Sequence, residues 1–138
     1  MLKFLIMKKI YFLSVLLILV SCSLSVEKKV YGKGAVSSVT VEEFAAEIGR
    51  EGVQLVDVRT AGEYAAGSID GSINIDVGSG HFGADADSLL DKKRTVAVYC
   101  RSGRRSKEAS EKLVKLGYTN IVEFGGILDW KGNIVTDQ

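Results

Sequence analysis

The sequence predicts an α/β fold: a small parallel β-sheet of about five strands with helices on both faces. Two observations carry this. Short, continuous apolar runs, Leu55-Val56 and Val96-Ala97-Val98-Tyr99 among them, read as strands buried on both sides, as parallel sheets require. Between these runs stand helix signatures: two Thr-x-x-Glu capping boxes and a stretch with apolar residues at helical spacing. At 138 residues the chain has the length of one domain. There is no proline, so turns rest on Gly, Asp, Asn and Ser.

The first 21 residues stand apart. Lys3, Lys8 and Lys9 precede the apolar run Ile10–Val20, which is shorter than the roughly 20 residues of a membrane-spanning helix. A basic start, an apolar middle and small residues at a cut site describe a signal peptide over 1–21. Leu19-Val20-Ser21-Cys22 resembles a bacterial lipobox, which implies lipidation of Cys22. The expected location is then the bacterial cell envelope, lipid-anchored and extracytoplasmic, on the periplasmic side or the cell surface. More than one acyl chain makes such anchoring stable. Residues 22–35 are polar, with Gly32 and Gly34, and read as a flexible tether. Residues 36–135 form the folded domain.

Within the domain, Val36–Val39 is a short strand. Thr40-Val41-Glu42-Glu43 is a capping box that opens a helix with Phe44 and Ile48 on one face. Gln54–Val58 is a buried strand, and Thr60-Ala61-Gly62-Glu63 caps a short helix containing Tyr64. Ile73–Ile75 is another strand. Asp87–Leu90 makes one helical turn, and Gly78–Gly83, with His81, reads as a loop tip. Thr95–Tyr99 is the strongest strand, continuous and β-branched. Ser106–Leu116 places Ala109, Leu113 and Leu116 at helical spacing, and Gly117 supplies the C-terminal stop. Ile121–Phe124 is the last strand, with Trp130 packing behind a Gly125-Gly126 turn.

Charge excludes one class of partner. With the three lysines of the leader set aside, the remainder is slightly acidic, and no nucleic-acid partner is expected. One histidine and one free cysteine cannot build a metal site, so no metal and no cofactor is expected.

The chemical signal is VYCRSGRRSKEA, residues 98–109. With Cys22 acylated, Cys100 is the remaining thiol. It falls at the carboxyl end of a parallel strand, where ligands bind in such sheets. The N–H groups of a following helix start, its dipole, and Arg101, Arg104 and Arg105 all favour thiolate over thiol. Gly103 lets the backbone curl into an anion-binding bowl with Ser102. A cysteine phosphatase loop, Cys-x5-Arg, requires arginine where Ser106 stands. A shorter bowl suits one extra sulfur atom on the cysteine.

LVDVRTAGEYAAGSIDGSINI (55–75), VAVYCRSGRRS (96–106) and LGYTNIVEFGGILDWKG (116–132) together resemble the single-domain rhodanese-like sulfurtransferases. The resemblance implies a double displacement through a persulfide on Cys100. The backbone from Arg101 to Arg105 cradles the outer sulfur, and the arginines attract a small anionic donor such as thiosulfate. A thiol or cyanide then accepts the sulfur. Asp57, Arg59, Glu63 and Ser106 are structural support, with Asp57 and Arg59 bracing a turn against Glu63 or the neighbouring loop. Two other readings stand beside this one: a non-catalytic binding module on the same fold, and a small cysteine-dependent phosphatase or arsenate reductase. Ser68 replaces the family's usual histidine, and Asp70 and Ser72 depart from commoner residues away from the nucleophile loop. Gly132–Val135 lacks the family's usual Leu-Pro pair.

Overall fold

A computed structural model of the protein describes residues 35–136. The segment expected to be a signal peptide, Cys22 and nearly all of the expected tether lie outside the described residues. Among the described residues seven strands form: β1 (Val36–Ser38), β2 (Gln54–Asp57), β3 (Ser68–Ile69), β4 (Ile73–Asn74), β5 (Val96–Tyr99), β6 (Ile121–Glu123) and β7 (Ile134–Val135). Among the described residues four α-helices accompany them: α1 (Val41–Ile48), α2 (Ala61–Ala66), α3 (Phe82–Leu89) and α4 (Arg104–Lys115). Five strands make one all-parallel sheet in the order β1-β6-β5-β2-β4. The expected architecture is therefore present, with β5 at its centre.

Strand alternation sends successive side chains to opposite faces. Val56, Val58, Val96, Val98, Cys100 and Ile121 point to the face covered by α3 and α4, against Phe82, Ala86, Ala109 and Leu113. Leu55, Ala97, Tyr99 and Val122 point to the other face, against Phe44 of α1 and the segment carrying Phe124, Ile127 and Trp130. The Trp130 ring lies edge-on to Phe44, with centroids 6.4 Å apart. Both capping boxes form: Thr40 accepts from the Glu43 amide and Thr60 from the Glu63 amide, each glutamate reaching back.

Three local expectations need correction. The single turn over Asp87–Leu90 is the end of an eight-residue helix beginning at Phe82. Thus His81 is that helix's N-cap rather than part of an open loop tip, although its side chain makes no capping bond. The helix after Cys100 starts at Arg104, two residues earlier than Ser106, because Gly103 takes a left-handed conformation (φ 111°) that lets the chain turn straight from strand to helix. The third concerns the departures from the family pattern. Ser68 and Val135 pair across an antiparallel ladder, β3 with β7, so the unusual C-terminus packs on the unusual Ser68. Ser72 meets the nucleophile strand on the face away from Cys100, with its hydroxyl 3.0 Å from the Tyr99 hydroxyl.

Candidate active site

β5 delivers Cys100 to the carboxyl edge of the sheet, and α4 begins four residues later. The residue is buried, but its sulfur does not end among aliphatic groups. The Gly103 amide donates to Sγ at 3.0 Å. Burial pushes the Cys100 thiol up, yet donors outweigh it: the amides of Ser106, Gly103 and Ser102, with the Ser106 hydroxyl, hold it below its ordinary value. The collar is made of hydrogen-bond donors, which favour an anion at its centre.

A second segment keeps those amides turned inward. The Ile127 amide donates to the Cys100 carbonyl at 2.9 Å, and the Leu128 amide to the Arg101 carbonyl at 3.3 Å. With its carbonyls held from outside, the loop directs its N–H groups toward the sulfur. This strap reaches the loop only because glycines face it. A Cβ on Gly126 would meet the Arg101 carbonyl oxygen at 2.4 Å, and one on Gly103 would meet the Gly125 oxygen at 3.2 Å. The strap is the part of the site that sequence reasoning missed; the Gly125-Gly126 pair was its signal.

The expected supporting residues fall into three separate contacts. Arg59 bonds Asp57 itself, with Nη2 2.6 Å from Oδ2 and Nε 3.0 Å from both oxygens. It also donates to the Gly67 carbonyl at 2.6 Å. The pair spans the β2–α2 turn and reaches the Gly67 carbonyl of the neighbouring loop rather than Glu63. Instead Glu63 takes a two-pronged bond from Arg105, at 2.6 and 2.8 Å. The Arg105 guanidinium lowers the Glu63 carboxyl to about 2. Arg105 is thus tied down, joining α2 to α4 across the flank of the loop. Arg101 and Arg104 are exposed at the rim, and no described residue forms an ion pair with either. Ser106 is fully buried, donating to the Gly103 carbonyl at 2.9 Å and to Glu123 at 3.1 Å.

A parallel sheet with a cysteine at the end of its middle strand, inside a donor-lined loop at a helix start, defines an α/β domain whose loop favours negative charge at the sulfur. Residues 40–133 match the model of the Rhodanese-like domain, and the chain belongs to that family. It is 38% identical over 81 residues to a sulfurtransferase of Allochromatium vinosum, covering 58% of this chain and 73% of that one. It is 38% identical over 74 residues to the thiosulfate sulfurtransferase PspE of Escherichia coli, covering 54% and 70%. Among solved structures, a rhodanese with anions from E. coli superposes with a TM-score of 0.54 at 34% identity, over 62% of this chain and 99% of that one. These relatives support a function of the sulfurtransferase type.

Proposed function

We propose that this protein is a sulfurtransferase that carries sulfane sulfur as a persulfide on Cys100. The observation that carries the reading is the donor collar around Sγ, with the Gly103 amide at 3.0 Å. In the first step the Cys100 thiolate attacks the outer sulfur of a donor such as thiosulfate. A Cys–S–S bond forms, the donor's S–S bond breaks, and its electron pair leaves with sulfite. Sulfite is a stable anion, so no group in the loop needs to protonate it. In the second step cyanide or a thiolate attacks the outer sulfur and the Cys100 thiolate departs, restoring the site. Charge balances in both steps.

Loop amides that stabilise a thiolate serve a terminal persulfide anion equally well. Arg101 and Arg104 offer the exposed positive charge that draws an anionic donor to the rim; Arg105 shapes the loop through Glu63. A phosphatase is disfavoured because Ser106 places a small, buried hydroxyl where a phosphate-clamping guanidinium would be required. For the region outside the described residues, the leader and Cys22 support an extracytoplasmic lipoprotein.

Mass spectrometry of the full chain after incubation with thiosulfate tests the reading. One added sulfur on the Cys100 peptide is expected, and Cys100→Ser should abolish it. An unmodified peptide under conditions that load PspE would overturn it. The Cys22 peptide from the same sample should carry acyl chains; a free Cys22 thiol in the mature protein would remove the anchoring proposal.

A further inference from the structure

Glu123 is a buried carboxyl that the sulfur-transfer steps do not use. It lies on β6, 2% exposed, opposite Val98 of β5 and Ser38 of β1. Two residues past Val98 along the chain is Cys100. Alternation therefore puts Glu123 and Cys100 on the same face of the sheet, beneath the first turn of α4.

The two oxygens of Glu123 have different partners. The Ser38 hydroxyl donates to Oε1. The Ser106 hydroxyl lies 3.1 Å from Oε2 and 2.9 Å from the carbonyl of Gly103, the residue whose amide donates to the Cys100 sulfur; Ser106 is also among the groups that hold that thiol below its ordinary value. A hydroxyl has one proton to give. A carbonyl and a carboxylate hold that of Ser106, and the neighbouring sulfur is a further acceptor for it. A cavity of about 480 Å³ runs alongside, lined by Ser38, Ser102, Arg104, Lys107 and Glu123. The charged and titratable groups around Glu123 are therefore Arg104 and Lys107 from α4 and, across Ser106, Cys100; β1 contributes the Ser38 hydroxyl.

We propose that Glu123 is a positioning residue that draws the Ser106 proton away from Cys100 and sets a negative charge beneath the collar. The inference rests on the sulfurtransferase reading for its purpose. A sulfur surrounded only by donors is stabilised as an anion but loses nucleophilicity as its basicity falls. An acceptor within the same network restores part of that basicity. Glu123 acts as a counterweight to the amides, leaving the sulfur favoured as an anion yet still able to attack a donor sulfur.

The test is the pH dependence of alkylation of Cys100 by iodoacetamide in the full chain, read on the Cys100 peptide. Glu123→Gln keeps the shape and removes the charge. Its alkylation midpoint should move to lower pH by about one unit. The plateau rate of the fully ionised sulfur should drop about threefold, following the usual dependence of thiolate reactivity on basicity. Ser38→Ala, an exposed edge-strand change, removes the competing donor to Oε1, so the carboxylate should pull harder on Ser106 and raise the midpoint. These opposite displacements are not expected of a merely structural carboxyl. Midpoints equal to that of the parent protein, in variants that melt cooperatively, would overturn the proposal, as would an upward shift in Glu123→Gln. Should Glu123→Gln fail to fold, Ser38→Ala decides alone. Alkylation needs no sulfur donor, so its outcome is independent of whether Cys100 loads sulfur.

Discussion

At the scale of single residues, the site is a contest between burial and donors, and donors prevail at Cys100. The cysteine and its arginines were legible because they are neighbours in sequence. The role of Glu63 was legible only in part. Its capping box is local, but its bond to Arg105 joins residues 42 apart, and the sequence offered Asp57 and Arg59 as nearer partners. That bond has a pH signature. The folded carboxyl titrates at about 2, below its ordinary range. Its contribution to stability is therefore fully present above the unfolded value of about 4.3 and is lost as pH falls toward 2. The side chain is 33% exposed, so screening limits the contribution to about 1 kcal/mol or less. Denaturant melts from pH 6 to 2 should show Glu63→Gln losing less stability on acidification than the parent. Parallel acid limbs would show that the ion pair makes no net contribution.

Elements were legible wherever local chemistry marks them. The capping boxes fixed two helix starts, and the β-branched run fixed β5. α3 was largely hidden for physical reasons. Its N-cap side chain makes no bond, Gly83 is a poor helix former, and its buried face shows only Phe82 and Ala86. β3 and β7 have two residues each and exist only by pairing with one another, so no local period announces them. The strap was hidden likewise, because its amides matter for what they touch rather than for their side chains. A substitution tests it. Gly126 has φ 134° and no room for a Cβ against the Arg101 carbonyl. Gly126→Ala should cost about 2 kcal/mol and turn the loop amides away from the sulfur. Loss of persulfide loading together with a raised Cys100 alkylation midpoint is expected. Normal loading in the Gly126→Ala variant would show that the strap is dispensable.

Across the whole molecule, two apolar layers clamp the sheet, and the site stands on their shared edge. Both layers were foreseen from the continuous apolar strands. The aromatic group on the α1 face shows how the layers are tied. Phe44 is fully buried, with its ring 4.3 Å from that of Phe124, just before the strap. Phe44→Ala should cost about 3–5 kcal/mol, measured by urea unfolding; a loss below about 1 kcal/mol would mean that this layer collapses to fill the gap. The strap also bears on biogenesis. Ribosomes deliver the chain from its amino end, and β1 finds its neighbour in the sheet only when β6 is made. In chain order Cys100 and its whole loop precede Ile127 and Leu128, which hold that loop's carbonyls. A released chain cut off after Phe124 would therefore carry every residue of the loop without the amides that fix it, and an ordinary thiol is expected of it.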